Sequence, residues 1–226
     1  MLRRLRRSRL ASVPALMGAA LLVLAVPQMA DAIARLYAGS VVAAGERPSD
    51  VEMANASAAL LELTDQWLGD PYARNQAGTL HMFLAFAAGP DREPDAGQLA
   101  HAIDDLVSGI RRAPADAVAW TAFAQGQLAR GDKENARRAL RTSLLLASYE
   151  PRLAVWRAKL GLQILDRLDP EEFGFWSEQV LVAWDHSRAA LLALARRPLY
   201  AIGLRAGLAA DPRRLYFFDR VLSEQR

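Results

Sequence analysis

The residues in this 226-residue chain best suited to proton or metal chemistry are three histidines, His81, His101 and His186. None has another His or a carboxylate at a spacing that makes a recognised local metal motif. His101 can share a helical face with Asp104 or Asp105, which reads as a helix-surface contact. Asp104-Asp105 and Glu171-Glu172 are adjacent carboxylates. On a helix such neighbours point about 100° apart, so they form no acid–base pair. There is no His-Glu-x-x-His, no glycine-rich phosphate loop and no Gly-x-Ser-x-Gly. The chain has no Cys, which excludes disulfides and thiolate metal sites. The expectation is no catalytic residue, no metal and no cofactor. A site built from residues distant in sequence is the alternative.

The aromatic clusters are read as packing. Phe173, Phe175, Trp176 and Trp184 belong to a core rather than a ligand groove. Tyr216-Phe217-Phe218 beside Arg213 and Arg214 fits a closing helix, with Phe218 inward and Tyr216 or Phe217 exposed or meeting a partner. Charge argues against nucleic acid. The net charge is +3, but Arg3, Arg4, Arg6, Arg7 and Arg9 crowd the first nine residues. Taking those five from 28 basic residues leaves 23 against 25 acidic, so the body is slightly negative and does not match a polyanion.

The elements that would position such residues are helices. Ala and Leu dominate, β-branched residues are sparse, and no segment has a period of two. Residues 114–144 are the most informative stretch. Two helical patterns flank Gly131-Asp132. Trp120, Phe123 and Ala124 share a face of the first; Ala136, Leu140 and Leu144 share a face of the second. Small Ala124 and Ala136 let the helices approach, and the large side chains fill the seam.

This pattern resembles a tetratricopeptide repeat, whose period is 34 residues. Trp120 stands at the family's Trp position, Phe123 and Ala124 at its Leu-Gly pair, and Ala136 at its Ala. Leu140 stands at its second aromatic position, and Pro114 at the closing Pro of the preceding unit. Gln127 replaces a usual aromatic, Ser148 a usual Pro, and Pro151 comes three residues late. Ala102, Leu106 and Ile110 repeat Ala136, Leu140 and Leu144 at an offset of 34. Leu160-Gly161 and Ile164 echo a further first helix, whose second half departs at Phe173. The resemblance implies paired helices in a short superhelix with a protein partner, peptide or helix, in a concave groove. Val118, Thr121, Gln125 and Leu128 are then the outward positions of the central first helix, with Arg157 and Lys159 as neighbours. Residues 147–153, Gly161-Leu162 and residues 165–170 are also similar to small tetratricopeptide-like proteins of bacterial envelope polysaccharide synthesis and export. That similarity implies a non-catalytic adaptor of a polymerase or exporter.

The expected architecture is all-α: an N-terminal membrane helix, then a tetratricopeptide-like helical-hairpin superhelix. Residues 1–10 form a basic head, 11–30 an apolar stretch, 31–48 a linker and 49–226 the helical domain. The stretch 11–30 nearly matches the 20 residues a bilayer core needs. The arginines before it keep that end in the cytoplasm and place the body in the periplasm. Two readings of it stand: a retained inner-membrane anchor, or a signal peptide cleaved at Ala30-Asp31-Ala32. The rival functions are a helical lytic glycosidase of the envelope and a soluble secreted binding module.

Along the body, Met53, Ala56, Leu60, Leu63 and Trp67 follow a helical period, as do Ala77, Leu80 and Leu84. A polar loop spans 89–97. Further helices are expected over 98–112 and 152–168. One from Asp169-Pro170 to Arg196 is expected to bend near Gly174, and short ones over 199–209 and from Asp211-Pro212 close the chain.

Overall fold

The structure is a computed structural model that describes residues 48–89 and 92–224, together with Met29 and Ala32. Among the described residues all regular structure is helical: α1 (Pro48–Leu68), α2 (Pro71–Ala85), α3 (Ala96–Arg112), α4 (Ala117–Ala129) and α5 (Lys133–Leu146) come first. Then follow α6 (Pro151–Gln163), a 3₁₀ turn (Leu165–Arg167), α7 (Pro170–Leu194), α8 (Pro198–Leu208) and α9 (Pro212–Glu224). The stretch 11–30 lies outside the described residues apart from Met29, and no helix among the described residues is long and apolar enough to cross a membrane. The chain divides into two compact units, residues 1–101 and 102–226. The division falls inside α3 rather than in the 89–97 loop.

In the first unit α1 and α2 pack side by side around a two-residue turn. Gly69 takes φ 64, a conformation that favours glycine, and its N–H reaches Asp65 O at 2.8 Å. Asp70 caps α2 by accepting from Tyr72 N, and Pro71 occupies the first turn. The Arg74–Asp65 ion pair at 3.0 Å links the two helices near this turn. Buried Ala54, Ala58 and Leu61 of α1 meet Ala73, Ala77, Leu80 and Leu84 of α2. This corrects two positions of the expected face of α1: Leu63 is half exposed and Ala56 exposed, while the side chains of Met53, Leu60 and Trp67 lie outside the described residues. The seam selects small residues because alanines on both helices let the backbones come close. The loop after α2 returns through Asp95, whose N–H donates to Ala85 O and whose carboxylate accepts from Gln98 N at the start of α3.

In the second unit α4 and α5 form the expected pair. Asp116 caps α4, Gly131 turns at φ 79, and Asp132 caps α5. Ala124, Ala139, Leu140 and Leu144 share a core with Leu160 and Ile164 of the α6 segment, bordered by Trp120, Phe123, Leu128 and Trp156. Ala136 is fully buried. The Trp120 indole N–H donates to Pro114 O at 2.8 Å, which fixes the ring.

Two expectations need correction. The helix expected over 152–168 stops at Gln163: Ile164 leaves helical geometry at φ −124, ψ 20, and the chain turns through the 3₁₀ segment before Asp169, extended at ψ 170, caps α7. The bend in α7 sits at Ser187 (φ −145, ψ 44), not at Gly174. Gly174 stays helical between Phe173 and Trp176, both packed on the core. The first turn of α7 is locked by a reciprocal capping box between Asp169 and Glu172.

Trp176 is the centre of the second core, fully buried, with its N–H donating to Ala158 O. Gly161 of α6 and Gly207 of α8 lie against this ring. A Cβ on Gly161 would stand 2.1 Å from Trp176 Cδ1, and one on Gly207 would stand 3.1 Å from Cζ3. Gly161→Ala is therefore expected to cost about 1–3 kcal/mol through overpacking. Gly174→Ala, with nothing within 4 Å of its added carbon, should stabilise by about 0.5–1 kcal/mol. Urea denaturation followed by circular dichroism measures both. Equal midpoints for the two variants would show that the indole can move aside.

Candidate partner-binding site

The expected groove residues divide between interior and surface. Thr121 is fully buried: its hydroxyl contacts Ala117 O one turn back and Ser143 Oγ on α5, 2.7 Å away. Arg157 is fully buried as well. Neither lines an open groove. Gln125 is half-buried and accepts from the Trp156 indole N–H at 2.5 Å. Leu128 is half-buried in the core border, and Val118 is exposed. Lys159 is half-buried; burial first, and then the Arg197 charge, lower its pKa.

Arg157 joins four helices. Its Nε and Nη2 reach Ser143 Oγ at 3.1 and 2.8 Å, and Nη2 also donates to Ser143 O at 2.8 Å. Its Nη1 donates to Ala147 O at 2.6 Å and to Gln179 Oε1 at 3.1 Å. Gln179 in turn donates to Ser148 O, and Ser143 Oγ to Ala117 O. The guanidinium has five N–H donors and these are five contacts. Two accepting carbonyls end α5, where the helix dipole is negative. Burial pushes the Arg157 pKa down to about 10, so the group stays charged at neutral pH.

Surface charge is largely held in pairs. Arg137 and Arg141 of α5 meet the first-turn acids of α7: Arg137–Glu172 at 2.6 Å and Arg141–Glu171 at 3.1 Å. Glu172 is buried, whereas Glu171 is exposed. On the last two helices Arg205–Asp219, Arg214–Asp185 and Arg220–Glu224 are paired as well, and apolar side chains lie exposed beside them. The buried face of α8 is Gly203, Leu204, Gly207 and Leu208, yet Leu199 is 80% and Ile202 62% exposed. On α9 Phe218 is buried against Trp184, while Tyr216 and Phe217 are both exposed with their rings 5.8 Å apart. Trp176 and Trp184 are core, with Phe173 and Phe175 half-buried beside them. A shallow depression of about 270 Å³ lies between Ser148-Tyr149 and Glu178, Leu181 and Val182. Tyr149 OH and His186 Nε2 are 2.8 Å apart near it.

His81 and His101 are placed together, which no local spacing signals. They stand on α2 and α3, and both Nε2 atoms reach one oxygen of Glu62 on α1. Asp105 follows His101 by one turn of α3 and is buried.

If the Arg157 network holds the second unit, Ser143→Ala should cost about 1–3 kcal/mol and Arg157→Ala about 3–5 kcal/mol. The double variant should cost clearly less than the sum, because both changes remove the same contacts. Chemical denaturation of the four proteins measures this; strict additivity would separate the two residues.

No protein family matches the chain, and no curated protein or solved structure matches it either. Function is read from the geometry.

Proposed function

We propose that this chain is a non-catalytic scaffold: a tetratricopeptide-like helical domain, tethered through residues 11–30 on the periplasmic face of a bacterial inner membrane. In this reading it organises a protein partner of envelope polysaccharide synthesis or export. The observation that carries the scaffold role is the exposed apolar surface of α8 and α9. Surface helices of a globular domain ordinarily turn a polar face outward. Here they present Leu199, Ile202, Tyr216 and Phe217. Residues 185–224 hold seven Arg against four acids, so the charge around these apolar residues is on balance positive, with Arg205, Arg214 and Arg220 paired to Asp219, Asp185 and Glu224. That chemistry suits an amphipathic helix of a partner protein, apolar on one side and acidic at its edges. Enclosed small-molecule pockets usually exceed about 300 Å³, and the open depression beside Tyr149 falls short of that.

A photo-crosslinking residue at position 202 or 217 should capture one discrete envelope protein, while the same probe at exposed Arg152 should not. Leu199→Ser and Phe217→Ser should each weaken that complex by about 1–2 kcal/mol. Adducts to lipid alone would make α8 and α9 a membrane-facing surface and overturn the scaffold role. A reporter fused after Arg226 that works only in the cytosol would overturn the topology.

A further inference from the structure

We infer that Glu62, His81 and His101 form a binding site for a divalent first-row transition ion of the zinc class. This does not depend on the scaffold reading, which rests on the second unit. The three side chains come from α1, α2 and α3, and all lie in the first unit. Glu62 Oε1 is 3.2 Å from His81 Nε2 and 2.9 Å from His101 Nε2. Two ligand atoms of a tetrahedral zinc ion, each about 2.0–2.1 Å from the metal, stand roughly 3.3 Å apart. The two carboxylate–imidazole pairs already have nearly that spacing, and the ligand atoms of the group all lie within 4.8 Å of one another. Two imidazoles and one carboxylate are also a donor set that zinc accepts, with a fourth position left for water or substrate.

A second observation concerns the orientation of His81. Its Nδ1 is 2.9 Å from Gln98 Oε1, while its Nε2 faces the Glu62 carboxylate. A neutral imidazole carries one N–H. With that hydrogen donated to Gln98, the Nε2 lone pair is aimed at an anionic oxygen. A cation between them, proton or metal, turns that repulsion into attraction. An outer ligand that fixes the ring tautomer in this way is what metal-bound histidines usually have. The two imidazole rings lie 4.4 Å apart and tilted by 32°, so their Nε2 edges converge on Glu62. His81 is mostly buried and Glu62 partly so, at 12% and 26% side-chain exposure, while His101 at 53% leaves an entry path.

The ion would also serve the fold. The α1–α2 core is built chiefly of alanine and leucine, and a small unit of this kind buries little apolar surface. A metal held from three helices adds its binding free energy to folding.

The test uses the purified full-length chain and Zn²⁺ alone. After dialysis against Zn²⁺, one ion per chain should remain, and the thermal midpoint should rise with free Zn²⁺. Glu62→Gln, His81→Ala and His101→Ala should each weaken binding more than tenfold. Gln98→Ala should weaken it about 10- to 100-fold through the outer contact. His186→Ala should bind as the parent does. Metal-free circular dichroism checks that each variant is folded. As a readout independent of substitution, ¹⁵N spectra of the parent should show Zn²⁺ moving the Nε2 resonances of His81 and His101 and leaving those of His186. No retained ion, unchanged affinity in folded Glu62→Gln and His81→Ala, or shifts confined to His186 would overturn the site.

Discussion

A permanently charged guanidinium in a dry interior is costly unless every donor is answered. The Arg157 side chain meets that requirement only in one arrangement of α4, α5, α6 and α7. Ser143 and Ala147 must offer their carbonyls from the end of α5, and Gln179 must come from α7. Apolar contacts between alanine-rich helices are nearly indifferent to a small slide along the axis. Directional bonds to a fixed planar fork are not. The network therefore sets the register in which the hydrophobic faces of the second unit meet.

Packing follows one rule in each unit taken by itself: close helix approach selects small residues. In the first unit Ala54 and Ala58 face Ala73 and Ala77. In the second, Gly161 and Gly207 receive the Trp176 ring, and Gly203 meets Leu162. Trp176 fills the seam that Gly161 and Gly207 open, whereas Trp120, Phe123 and Trp156 border the one lined by Ala124 and Ala139. The polar exterior is satisfied locally. Asp116, Asp132, Asp169 and Asp211 each accept backbone N–H groups at a helix start. Such acids are structural, whereas the apolar surface of α8 and α9 and the Glu62–His81–His101 cluster are among the features the fold alone does not explain.

Most element boundaries were legible in the chain because the cues are local. Asp70-Pro71, Gly131-Asp132 and Asp169-Pro170 each combine a cap, a restricted φ or a glycine turn, and helices stop and start there. The inward face of α5 was legible too: Ala136, Leu140 and Leu144 are buried, as are Leu160 and Ile164 of the further first-helix pattern. The face of α1 was not, because hydrophobicity ranks Leu63 above Ala58 whereas close approach ranks them the other way. Thr121 and Arg157 were placed outward by the tetratricopeptide resemblance, and both are buried. Periodicity assigns a polar residue to the surface and has no means of representing a partner on another helix.

Composition and spacing by themselves determined that the described residues are helical and where most of their helices begin. Those properties depend on backbone torsions and neighbours within about one helical turn. Tertiary structure alone decided which face of α1 is buried, that the Arg157 charge lies inside, and that Glu62, His81 and His101 share one point in space. The last three residues stand 19 and 20 positions apart on separate helices. Their meeting depends on the rotation and offset of each helix against the next, and packing fixes those quantities only when all the surfaces are present together.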